Sequence, residues 1–181
     1  CSPPPRDEVS QEACWLGLKT GVFQTFSSDH CPFRYDDPAG KLTPKGRTSF
    51  RWVPNGIPGV AARLPILFSE GVSKRRITLN QFVAYSSTNH AKMYGLHPKK
   101  GTIAIGADAD IAIWNPSRKV RITHDLLKDG SDYTPYEGLE VTGWPVATCF
   151  RGKTVVRDGQ LSGPKGHGTH IKREKSAYAG S

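Results

Sequence analysis

The chain has 181 residues, 36% hydrophobic and 23% charged, the balance of a globular protein with room for one ordinary domain or two partial ones. No apolar run approaches the roughly 20 residues a bilayer span needs, and the opening Cys1-Ser2-Pro3-Pro4-Pro5-Arg6 lacks the apolar core of a signal peptide. The formal net charge is +9, and much of the excess lies in a tail carrying Lys165, Lys172, Arg173 and Lys175 against Glu174. With no recognition motif and no aromatic platform, the charge is read as a solvated segment or a subunit contact, not a nucleic-acid surface.

In chain order, residues 7–20 read as a helix with acids at its start and Gly21 as its stop. Val22–Phe26 reads as a short buried strand, rich in β-branched and aromatic residues, running into the polar turn Ser27-Ser28-Asp29-His30. Residues 32–58, dense in Pro, Gly, Asp and Lys, read as a long loop of the kind that tends to be functional. A helix is expected over 59–69, kinked or divided at Pro65. Thr78 and Gln81 form a capping-box pattern before a helix that turns Phe82 and Val83 toward a core. Thr88 is expected to cap a further short helix that stops at Gly95.

After Leu96 the texture becomes β. Residues 101–106, 110–114, 118–123, 141–150 and 153–157 read as strands, with turns at Gly152-Lys153 and Asp158-Gly159. The ending from Gly163 is tail-like. A lone buried strand among helices needs partners that the chain does not contain. The chain also begins without Met, its only methionine being Met93. Both features lead us to expect a piece of a longer protein. Cys1, Cys14, Cys31 and Cys149 form no C-x-x-C pair and read as reduced thiols of a cytosolic protein.

Few residues suggest chemistry. Asp29 follows an apolar strand and begins the long loop. Carboxylates at strand ends face the active site in a (β/α)₈ barrel, while the commoner role of an Asp in a turn is to cap the local backbone. His30 and Cys31 adjoin it, but neighbours on an extended stretch point opposite ways and chelate poorly, so packing or loop hydrogen bonding is their expected role. The other histidines show neither H-x-H nor H-E-x-x-H spacing, and no P-loop or G-x-S-x-G elbow is present. Asn55, in Val53-Pro54-Asn55-Gly56, makes a tight turn or offers backbone groups to a ligand. Ser2, before three prolines, is fixed in polyproline II geometry with its N–H and C=O free.

Several ordered segments carry a resemblance. Cys1-Ser2-Pro3-Pro4, Ser28-Asp29-His30-Cys31-Pro32-Phe33, Val53-Pro54-Asn55-Gly56, Arg63-Leu64-Pro65 and Glu70-Gly71-Val72 resemble the last third of dihydropyrimidinases and D-hydantoinases. Ser87-Thr88-Asn89, Lys100-Gly101-Thr102-Ile103, Gly106-Ala107-Asp108-Ala109-Asp110 and Tyr136-Glu137-Gly138 continue it to about Gly163. The resemblance implies an α/β fold: the C-terminal part of a (β/α)₈ barrel over residues 1–96, a β-sandwich portion over 97–163 and a basic tail over 164–181.

It also implies a metal-dependent cyclic-amide hydrolase, cytoplasmic and tetrameric, that opens dihydropyrimidines or 5-substituted hydantoins. Two divalent metals, usually zinc, bridge the attacking hydroxide in that family. Asp29 matches the carboxylate that ligates one metal and carries the proton to the leaving nitrogen. Ser2 and Asn55 match positions whose backbone groups hold the cyclic imide. The family's H-x-H pair, carboxylated lysine, further histidines and oxyanion-side tyrosine lie upstream of the matching stretch and are not in this sequence. The chain alone is therefore expected to be inert. Two rivals share the fold: non-catalytic dihydropyrimidinase-like cytoskeletal regulators, and sister enzymes such as allantoinase or dihydroorotase. Retained Asp29 speaks against the first, and the Asp29 and Asn55 segments against the second.

Overall fold

A computed structural model describes residues 1–179. Helix α1, Glu8–Thr20, begins where Asp7 accepts the Ser10 N–H and ends at Gly21, whose φ of 78° lets its N–H return to the Gly17 and Leu18 carbonyls. The expected strand at 22–26 is corrected: the segment is extended but forms no ladder, and Val22 is 72% exposed. A strand exists through its partner's hydrogen bonds, and the described chain provides none here. The long loop contains two single 3₁₀ turns, Pro44–Arg47 and Phe50–Trp52.

Helix α2, Val60–Ile66, holds Pro65 inside it and runs on as a π-helical stretch, Leu67–Ser73. Pro65 therefore neither divides the helix nor ends it. Thr78 and Gln81 form the expected reciprocal box at the start of α3, Leu79–Val83. The helix continues through a π turn, Ala84–Thr88, into α4, Asn89–Met93. Thr88 is thus not a cap. It has helical φ and ψ, and its hydroxyl instead donates to the Gly101 carbonyl at 2.7 Å. Gly95, at φ 66°, makes the expected stop.

The second half is a four-stranded antiparallel sheet in the order β1-β2-β3-β4. Its strands are β1 Ile111–Arg121, β2 Glu140–Phe150, β3 Lys153–Arg157 and β4 Gln160–Leu161, with the short helix α5 His124–Leu127 between β1 and β2. The stretches expected at 110–114 and 118–123 merge into β1, with irregular pairing to β2 between Asn115 and Lys119. The β2–β3 turn sits one residue earlier than expected, at Arg151-Gly152, and Asp158-Gly159 closes the last hairpin. Both pairs have positive φ, the requirement of a type I′ turn.

Residues 101–106 are not a strand. Ile103 and Ile105 point into solvent, and the loop is closed by Lys100, which pairs with Asp108 at 2.9 Å and with Asp110. Those carboxylates raise the Lys100 pKa against the opposing effect of its burial, and the same bond lowers that of Asp108.

Helices and sheet share their cores. Leu18, Leu67, Phe68, Ile77, Phe82 and Tyr85 form one buried cluster, and Trp114 of β1 stacks on Phe68 at 5.0 Å while meeting Phe82 edge-on at 5.4 Å. Gly143 of β2 permits this approach: a Cβ there would lie 2.1 Å from the Phe68 ring. A second cluster joins Ala62 of α2 to Ile122 and Val141. Truncating a fully buried side chain such as Leu67 to Ala costs about 2–5 kcal/mol. The tail folds back on its own chain, with the Glu174 N–H donating to Gly95 C=O at 2.8 Å and the Ala177 N–H to Lys92 C=O at 3.1 Å. No helix among the described residues is long and apolar enough to cross a membrane.

Candidate active site

Three separate segments converge on one open cleft of about 400 Å³, contributing Ser2, Ser28, Asp29, Cys31, Asn55 and Gly56 among its walls. The three residues singled out in the sequence, Ser2, Asp29 and Asn55, thus line the same space.

Local packing aims the central segment. A Cβ on Gly17 would lie 2.6 Å from the Phe23 ring, so glycine there lets the chain fold back beneath α1. The Phe26 N–H then donates to Tyr85 C=O at 3.0 Å. Its carbonyl accepts from the Arg63 guanidinium and lies 3.3 Å from His90 Nε2. Burial at this junction draws the Arg63 pKa down. Asp29 follows at φ 47°, a left-handed conformation uncommon outside glycine and best tolerated by Asn and Asp. The residue stands in the cleft wall.

The next two residues stitch this turn to the start of α2. His30 Nδ1 accepts the Gly59 and Val60 N–H groups at 3.0 and 3.2 Å, so a histidine does the work of a helix cap. The Cys31 N–H donates to Ile57 C=O at 3.1 Å, and its thiol to Asn55 C=O at 3.6 Å. The backbones lie so close that a Cβ on Gly56, at φ 113°, would sit 2.5 Å from Cys31 Cβ. Lys41 reaches from the middle of the long loop to the Pro54 carbonyl at 2.6 Å and to that of Gly56. At the N-terminal edge the Ser2–Pro3 peptide is cis.

The long loop is tied to the sheet side by Asp132, whose carboxylate accepts the Tyr35 and Asp36 N–H groups at 2.6 and 3.0 Å. These bonds hold its pKa below the ordinary 3.8, with help from Arg34. A depressed carboxylate contributes stability that is present above its unfolded pKa and lost as pH falls through the folded value. The melting-temperature gap between the full-length protein and its Asp132→Asn variant should therefore be full near pH 6 and close as pH falls below about 3.8. A gap that is constant from pH 6 to 3 counts against this anchor.

The loop hydrogen bonding expected of His30 and Cys31 is found, although not its partners, and sequence reasoning missed the clamp made by Lys41 and the anchor at Asp132. The tight turn Pro54-Asn55-Gly56 was the one local signal that a clamp would be needed. As a metal site the cleft is partial. Asp29 has the donor chemistry of one ligand, but among the described residues no group of three or more His, Cys, Asp or Glu stands close enough to hold an ion.

The sequence signature of the amidohydrolase family matches residues 8–155, and the chain belongs to that family. It is 48% identical to a D-hydantoinase of Geobacillus stearothermophilus over 174 residues, covering 96% of this chain and 36% of that protein. It is 40% identical to a D-hydantoinase of Rhizobium radiobacter, with 96% and 37% covered. The crystal structure of a dihydropyrimidinase from Brevibacillus agri superposes with a TM-score of 0.90 at 43% identity, over 99% of this chain and 38% of that one. The chain thus spans little more than a third of the length of these relatives. The expected fold, part of a barrel amidohydrolase of the hydantoinase type, is borne out by this superposition.

Proposed function

We propose that the chain forms the carboxy-terminal portion of a metal-dependent hydrolase that opens cyclic amides, either 5-substituted hydantoins or dihydropyrimidines. The observation that carries this reading is the meeting of Asp29, Ser2 and Asn55 at one cleft, in a chain whose relatives are D-hydantoinases. Residues 1–96 are read as the end of the barrel, 97–163 as a sandwich portion and 164–181 as a basic tail, of which Gly180 and Ser181 lie outside the described residues.

In this reading water adds across a ring C–N bond: a C–O bond forms at the carbonyl carbon, the C–N bond breaks, and the nitrogen leaves with a proton. A divalent pair, taken as zinc and completed by ligands from elsewhere in the protein, supplies Lewis-acid polarisation and an activated water when bound. Asp29 would hold one metal, and its carboxylate would take the water's proton and deliver it to the departing nitrogen. The left-handed backbone at Asp29 fits that role, because conformational strain collects where geometry must be held. Ser2 and Asn55 hold the imide through backbone groups, so selection depends on ring shape and on the placement of carbonyls.

The full-length protein is read as a cytoplasmic homotetramer in which the tail, docked on α4, supports assembly. The direct test is hydrolysis of dihydrouracil and a 5-substituted hydantoin by the full-length protein. Activity should vanish after chelation and return with zinc. Full turnover by metal-stripped protein would reject the mechanism, and no ring opening on either substrate would reject the function.

A further inference from the structure

We propose that Lys41 is a positioning residue that sets and polarises the Asn55 peptide for binding a substrate carbonyl; this rests on the reading that the Asn55 turn faces the ring. Lys41 is half-buried in the loop and forms no ion pair among the described residues. Its ammonium is bonded to main-chain oxygens, Pro54 C=O at 2.6 Å and Gly56 C=O, on either side of Asn55. Its approach is fixed from behind. The Lys41 N–H donates to Arg34 C=O at 2.9 Å and the Leu42 N–H to Tyr35 C=O at 3.1 Å. A Cβ on the preceding Gly40 would lie 2.1 Å from the Arg34 oxygen. The ammonium also lies 5.6 Å from the centre of the Phe33 ring, in cation–π range.

The consequence lies in which peptide is touched. The Pro54 carbonyl and the Asn55 N–H belong to one peptide group. A cation bonded to the oxygen withdraws electron density from that group and makes its N–H a stronger donor, as hydrogen-bonded chains polarise one another. The Asn55 side-chain oxygen already accepts the Gly56 N–H at 3.1 Å, and the Asn55 carbonyl accepts the Cys31 thiol. Among the described residues the Asn55 N–H has no partner. The turn therefore leaves one polarised donor beside the cleft that Asn55 lines, suited to a neutral carbonyl oxygen of a cyclic imide.

The test is made in the full-length, metal-loaded protein with Lys41→Met, Lys41→Ala and Gly56→Ala, reading kcat, KM, bound metal and melting temperature. Lys41→Met should raise KM about tenfold with kcat within about twofold and metal content unchanged, the pattern of lost ground-state and transition-state binding alike. Propylammonium, but not propanol, should bring the KM of Lys41→Ala back down. Gly56→Ala, which disturbs the same turn by sterics, should also raise KM. If Gly56→Ala raises KM and Lys41→Met does not, the role of Lys41 is wrong while the Asn55 reading stands. If neither moves KM, the Asn55 reading fails and the proposal fails with it. Lysine variants that do not fold, or that melt far lower without a KM effect reversed by propylammonium, make Lys41 a plain structural residue and overturn the proposal.

Discussion

Asp29→Asn in the full-length protein is expected to lower kcat for ring opening by about 10²–10⁴-fold, the usual cost of losing a positioned proton carrier. Asparagine is the informative substitution because it tolerates the left-handed backbone that Asp29 adopts at φ 47°. The main chain, the His30 cap on α2 and the neighbouring Asn55 turn should all persist, so the loss reports the carboxylate alone. Asp29→Ala removes the same group and adds backbone strain, so it should be at least as inactive and also less stable. Steady-state kinetics with metal analysis separates the two contributions. A fully metal-loaded Asp29→Asn protein with near-normal kcat would remove Asp29 from the mechanism.

The second large effect is expected when residues 1–181 are expressed alone: no stoichiometric zinc, no hydrolysis of either ring, and a sample that aggregates or binds ANS. The reason is visible on the surface. Val9 and Leu16 of α1 are 81% and 60% exposed, and Val22 and Phe23 of the unpaired extended segment 72% and 44%. Each large apolar side chain left in water forgoes about 1.5–3 kcal/mol of burial. The segment's main-chain groups also lack the ladder that would satisfy them away from water. Such a surface is complete only when other chain covers it. A monomer that unfolds in one sharp transition, retains tightly bound zinc and turns over substrate would falsify this expectation.

Features governed by neighbours in sequence were legible before the structure. The Asp7 and Gly21 ends of α1, the Thr78–Gln81 box and the glycine turn at Asp158-Gly159 each follow from rules spanning four residues or fewer. What failed depended on distant partners. Val22–Phe26 has strand composition, but pairing is decided by chain that is not adjacent. Residues 101–106 alternate like a strand, yet Lys100 turns them into a closed loop by pairing with Asp108 and Asp110. Thr88 looks like a cap, but the helix runs through it. At the site, Asp29 stood out for its place after an apolar stretch at the start of the long loop and Asn55 for its Pro-Asn-Gly segment, while turn chemistry alone would have left both as backbone caps; the resemblance supplied their roles. His30, Lys41 and Asp132 act across 29, 13–15 and 96–97 residues respectively, separations at which no local pattern exists. Ser2 was marked by its prolines, and it lines the cleft.

The contact between Gly95 and the basic tail has an evolutionary consequence. A methyl group at position 95 would fall 1.9 Å from the Glu174 oxygen, so the tail's address on the molecule is written as the absence of a side chain. Residues 174–177 must meet Lys92 and Gly95 in a single register, whereas the stretch before them is held through side chains, His167 edge-on to the Phe150 ring and Thr169 accepting from Arg151. Insertions and deletions around Lys165 and Gly166, where a Cβ on the glycine would meet nothing within 4 Å, should therefore accumulate more readily among descendants of this sequence, while the spacing from Glu174 to Ala177 stays frozen. A lineage that exchanged Gly95 for a larger residue would lose the docking of residues 174–177, and with it whatever the docked tail contributes to assembly.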